Sequence, residues 1–181
     1  MTTPTTIGRA ALLALLGWWT VQFVPHPLEA DRIIDSFLHL INLPFHEAGH
    51  IVFSPFGEFM TILGGSLFQV IVPLVCAIAF ARQAEWFGMS VCFWWAGENL
   101  VDLGPYIADA RTLELPLIGG KTGQEVYGHD WEGILDRLGW LHLDRAIAMD
   151  AHITGSVIMV ASLVLGIWCL WLQTPPEQTD A

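Results

Sequence analysis

The sequence predicts an all-α integral membrane protein of about four to five transmembrane helices with a metal site between them. Three observations carry this. Hydrophobic residues make up 54% of the 181 positions and charged residues 14%, against about 25% charged in a soluble domain, and the mean hydropathy is +0.52. The apolar residues gather into runs close to the ~20 residues that cross a bilayer. Inside one of those runs, His46-Glu47-Ala48-Gly49-His50 sets three ionisable side chains where charge is costly unless it binds something. The net charge of −11 argues against nucleic acid as a partner and against a basic patch for anionic lipid. Cys76, Cys92 and Cys169 are scattered without a C-x-x-C pair and read as packing residues.

The elements follow in order within one membrane-embedded domain, 1–181. Residues 1–27 read as an anchor helix: Ile7 to Val24 is apolar, Arg9 stands in front, and no small-residue cleavage site precedes Pro25-His26-Pro27, so the segment is expected to be retained. Residues 28–36 are polar and interfacial. The stretch 37–111 forms the core. Its first helix, from Ser36 to Phe53, carries the histidine motif, with Pro44 kinking its middle or starting its second half. Ser54-Pro55-Phe56-Gly57 ends it. Met60 to Ala81 follows with Gly64-Gly65-Ser66 and Gln69, closed by Arg82-Gln83-Ala84-Glu85, and then Trp86 to Leu103.

Residues 112–145 are a polar loop and an amphipathic helix: Gly119, Gly120 and Gly123 mark loop, and Trp131 to Leu143 reads as a surface helix. The last transmembrane helix is 146–172, with Trp168 and Trp171 as an interfacial belt, and 173–181 is a polar tail. If all five segments cross and Arg9 is cytoplasmic, Arg111, Lys121, Arg137 and Arg145 join it and only Arg32 and Arg82 lie outside. That asymmetry places the N-terminus in the cytoplasm of a multi-pass protein. The second segment is short enough to stop before crossing fully.

The chemistry rests on helical spacing. Residues four apart sit one turn apart on one face, so His46 and His50 can share a metal ion, and Glu47 can take a proton from a water that the ion acidifies. The same pattern also arises by chance in soluble helices, but here Leu43, Phe45, Ile51, Val52 and Phe53 flank it. Catalytic zinc takes three protein ligands and leaves a position open, so a third donor must come from elsewhere. Residues 97–111 offer Glu98, Asn99, Asp102 and Asp109, and residues 127–133 offer His129 and Asp130. Asn99, Asp102, Tyr106 and Asp109 would share a helical face if Pro105 left the helix unbroken. Asp130, ahead of an amphipathic stretch, reads as an N-cap, and His129 as a solvated loop residue. Asp150 and His152 are expected at headgroup level.

Taken together, these segments resemble the site-2 protease family of intramembrane zinc metalloproteases. HEAGH matches that family's HExxH in full. Gly65 to Gln69 looks like its G-P-x-x-N element with Ser66 and Gln69 substituted, and Asn99 to Ala110 looks like its N-x-x-P-x-x-x-x-D-G element. In that last element the aspartate stands two positions late, Asp102 takes the proline place and Ala110 replaces glycine. Covering roughly 37–111, the resemblance implies Zn2+ held by His46, His50 and Asp109, with Glu47 as general base. It further implies an endopeptidase that cleaves membrane proteins or peptides within or near the bilayer. Asn99 or Gln69 would hold the substrate strand, and Asp102 would orient a ligand histidine by accepting its second ring N–H. The alternative is a non-catalytic membrane scaffold or chaperone-like protein with a fully coordinated structural zinc, indifferent to the loss of Glu47.

Overall fold

A computed structural model describes residues 3–172, and the polar tail lies outside them. The described residues are helical, with no strand among them beyond one isolated antiparallel bridge, Pro116 to Thr122. Helix α1, Pro4–Phe23, starts where the Thr3 hydroxyl accepts the Thr6 N–H. After the short α2, Ala30–Ile33, comes α3, Phe37–Phe53, capped by the Ser36 hydroxyl on the His39 N–H. It runs through Pro44 without a break. A 3-10 turn, Ser54–Phe56, and Gly57 at φ 95° reverse the chain. A left-handed φ of this kind suits glycine, which has no Cβ to clash. Helix α4, Glu58–Arg82, follows.

Helix α5, Trp86–Ala108, continues through Pro105, and the Asp109 N–H still donates to the Pro105 carbonyl at 3.0 Å. The proline removes one hydrogen bond from the ladder and does not end the helix, contrary to the break expected there. Helix α6, Asp130–Leu138, is shorter than the sequence suggested because Gly139 adopts φ 70° and terminates it. A 3-10 turn, Leu141–Leu143, leads into α7, Asp144–Leu172.

Contacts at the helix ends fix the topology. Arg9 lies 3.4 Å from Glu85, which sets the start of α1 beside the start of α5. His152, early in α7, reaches the Val24 carbonyl just past α1 at 3.1 Å, and Arg111 pairs with Asp144, so α7 runs opposite to both. Phe80 covers Gly88 and the Gln69 amide donates to Asp102 at 2.8 Å, so α4 is antiparallel to α5. The start of α4 meets α6, through Arg137 on Glu58 and Ile62 against Gly133. The end of α1 and the start of α4 therefore lie at one end of the bundle. Helix α3, which joins them, sets His39 and Asn42 against Asp102 and Glu98 of α5 and His46 and Gly49 against Gln69 and Gly64 of α4, so α1, α4, α5 and α7 run the length of the bundle and α3 leans across α4 and α5. The expectation that the 104–145 region shares an end with the N-terminus is corrected accordingly: the two lie at opposite ends.

Backbone approach makes these crossings possible. A Cβ on Gly64 would lie 2.7 Å from the Gly49 carbonyl oxygen, and one on Gly97 would lie 2.7 Å from that of Gly155. Small residues at such points let helices pack through dispersion contacts without needing water to drive them together. Phe23, Trp94, Val101 and Met159 fill the interior. The outer faces are apolar, with Val75 and Ile78 on α4 and Val157, Val164 and Ile167 on α7 all exposed. Glu58–Arg82 and Leu141–Leu172 are long and apolar enough to cross a membrane, and only 33% of the most apolar window of each is buried in the protein.

Candidate metal centre

One face of α3 supplies the polar groups. His39, Asn42, His46 and His50 recur at spacings of three or four residues, which stacks them along a single stripe. His46 is buried at the contact with α4. Its Nδ1 lies 3.0 Å from Gln69 Oε1. The Nδ1 of His50 lies 2.8 Å from the Thr61 carbonyl oxygen, which can only accept, so Nδ1 of His50 carries a proton and Nε2 is the nitrogen left for a metal.

The two Nε2 atoms converge on one oxygen. Asp130 Oδ2 is 3.0 Å from His46 Nε2 and 3.4 Å from His50 Nε2, and donor atoms of all three residues lie within 4.8 Å of one another. Gly65 makes the space in front of these nitrogens. A Cβ there would stand 2.6 Å from His46 Nε2 and 2.7 Å from His50 Nε2. Two imidazole nitrogens and a carboxylate, with a ring held through its far nitrogen and a wall cleared by glycine, fit a metal ion.

Asp130 reaches the site on α6. Its N–H donates to the Tyr106 hydroxyl at 3.0 Å, the Trp131 indole N–H donates to Ser66 at 3.2 Å, and Ile134 and Leu135 are buried. Burial pushes the Asp130 carboxyl upward, but the hydrogen bonds and charge of His46 and His50 outweigh it and hold the carboxyl below its ordinary range. The expected N-cap role belongs to His129, whose Nδ1 accepts the Glu132 N–H at 3.2 Å. His129 is buried, not solvated, and burial holds its imidazole below the usual value despite Asp109, Asp130 and Glu132 nearby.

Asp109 stands elsewhere. Its carboxylate accepts the Thr112 hydroxyl at 2.5 Å and the Glu114 and Leu115 N–H groups at 2.9 and 3.0 Å, so it closes the turn after α5 and the third donor beside the histidines is Asp130. Gln69, expected to hold substrate, is bonded to His46 and Asp102. Asn99 is fully buried with its amide on the Trp95 carbonyl. Asp102 does not touch a ligand ring directly, because Gln69 stands between. His152 is buried against the Val24 carbonyl, whereas Asp150 is exposed.

In front of the three donors opens a cavity of about 600 Å³, lined among others by Glu47, Tyr106, Leu43, Ile62, Leu103 and Ile118. Glu47 is exposed on it. The arrangement can bind a cation through three donors while an acid–base carboxylate faces the same apolar-walled space. His39 and Asn42 went unnoticed in the sequence, although their register with His46 was the available signal. No protein-family model, curated protein or solved structure matches this chain.

Proposed function

We propose that the protein is a membrane-embedded, zinc-dependent endopeptidase that cleaves membrane-associated polypeptides. The convergence of His46, His50 and Asp130 on a glycine-cleared space beside Glu47 carries this reading. Three protein donors leave room for a reacting group, as catalytic rather than structural zinc requires. When bound, zinc supplies a Lewis acid for the scissile carbonyl and acidifies a water. Glu47 takes the proton from the attacking water and delivers it to the departing amine nitrogen. The apolar walls from Leu43, Ile62 and Leu103 receive the side chains that flank the scissile bond.

A bilayer suits the outer faces. Phe37, Leu40 and Ile51 of α3, like the outer residues of α4 and α7, are exposed and apolar, as lipid-facing residues are. Gly65 stands seven residues into α4, about 10 Å from its start at 1.5 Å per residue, so water reaches the site from the near end without traversing the ~30 Å hydrocarbon core. That near end carries Arg32, Arg111, Lys121, Arg137 and Arg145, and the far end Arg9 and Arg82. By the bias of basic residues the near end is cytoplasmic, and the N-terminus is outside. In a background without Cys76, Cys92 and Cys169, cysteines at Thr5 and Thr122 are expected to label from opposite faces. Labelling of both from one face contradicts this topology.

The peptidase reading is tested in proteoliposomes with a panel of dye-labelled single-span peptides. New amino termini are expected, lost with a chelator and restored by zinc. Cleavage that persists after complete metal removal, or no cleavage of any peptide by zinc-loaded protein, overturns it.

A further inference from the structure

Behind His46 lies a buried hydrogen-bond chain whose direction is set by donor and acceptor chemistry. An indole N–H only donates, so the Trp95 Nε1, 2.9 Å from Asn42, meets the Asn42 Oδ1 and turns the Asn42 amide nitrogen inward. That nitrogen donates to Glu98 Oε2 at 2.9 Å and to Asp102 Oδ2 at 3.2 Å. Asp102 also receives His39 Nδ1 on Oδ1 at 2.9 Å and Gln69 Nε2 on Oδ2 at 2.8 Å. With its nitrogen committed to Asp102, Gln69 can offer His46 only its oxygen, at 3.0 Å. Nδ1 of His46 must then carry a proton, and Nε2, whose N–H the Asp130 carboxylate accepts at 3.0 Å in the metal-free protein, is the nitrogen that can give its proton up to a metal.

We propose that Asp102 is a positioning residue of the metal centre: acting through Gln69, it sets which nitrogen of His46 is free to bind metal. His50 needs no such help, since a backbone carbonyl fixes its tautomer. The inference rests on the metal-centre reading for its purpose, but its direct readout does not. Replacing the carboxylate with an amide, Asp102→Asn, presents an N–H₂ to the Gln69 nitrogen or costs the His39 contact. Gln69 then flips, its nitrogen donates to His46, and Nδ1 can no longer hold a proton.

The test uses nitrogen chemical shifts of the metal-free, full-length protein labelled in histidine, together with zinc affinity by chelator competition. In Asp102→Asn, His46 is expected to lose the proton on Nδ1 and keep the one on Nε2 while His50 keeps its Nδ1 proton, and zinc affinity is expected to fall about 10- to 100-fold. Adding Gln69→Glu to that variant returns a carboxylate to the chain, one that accepts both from His46 and from the new amide at 102, and is expected to restore the Nδ1–H form and most of the affinity. A structural role for Asp102 would not produce that rescue. An unchanged Nδ1 proton on His46 in Asp102→Asn, or a double variant no better than the single one, overturns the proposal. If the unaltered protein binds no zinc, the metal reading fails, and the tautomer comparison still decides this one.

Discussion

Gly65→Ala is expected to abolish metal binding while leaving the fold intact. The new methyl would stand 2.6 Å from His46 Nε2 and 2.6 and 2.7 Å from His50 Cε1 and Nε2, well inside van der Waals contact and in the position a cation would occupy. Neither ring can retreat easily, because Gln69 holds the back of one and the Thr61 carbonyl the back of the other. In helical α4 the substitution itself favours the helix, since alanine replaces glycine in its interior at a gain of roughly 0.5–1 kcal/mol. Zinc content should therefore fall from about one ion per chain to almost none, with helix content unchanged by circular dichroism. Wild-type zinc content in Gly65→Ala would mean that the ion does not sit in front of the two Nε2 atoms.

Glu47→Gln is expected to separate chemistry from binding. Glu47 is absent from the donor cluster yet lies on the same cavity, so its amide variant should keep zinc at about one per chain. Loss of a positioned proton carrier costs typically 10²- to 10⁴-fold in rate, and peptide cleavage should fall by about that factor. A scaffold with a structural ion would show no effect in any assay of its function. Equal cleavage rates for the two proteins would remove Glu47 from the mechanism.

Local features were legible in the sequence where a short-range pattern dictated them. The helix over α3 and the pairing of His46 with His50 followed from an i, i+4 spacing inside an apolar run. The end of that helix followed from Ser54-Pro55-Phe56-Gly57, with Gly57 at the positive φ the reversal needs. The third donor was not legible. Asp130 lies 84 residues from His46, and the polar segment between α5 and α6 returns it to the site by packing Trp131, Ile134 and Leu135 inward. From sequence that amphipathic face reads equally as one lying on a membrane surface. Asp109 looked suitable because it stands for the aspartate of the family's last element, but the backbone N–H groups of its own turn claim its carboxylate. Orientation failed for a related reason: Arg9 meets Glu85 at the start of α5, whereas Arg111 meets Asp144 at its other end, and only contacts between helix ends reveal this.

The most direct measurement is zinc per chain, by elemental analysis of detergent-purified protein, in Asp130→Asn and Asp109→Asn side by side. Both substitutions preserve side-chain volume, and at position 109 one oxygen remains to accept from the turn. Asp130→Asn is expected to lose the metal and Asp109→Asn to keep about one ion per chain. Retention by Asp130→Asn with loss in Asp109→Asn would contradict the site and return the third ligand to the end of α5.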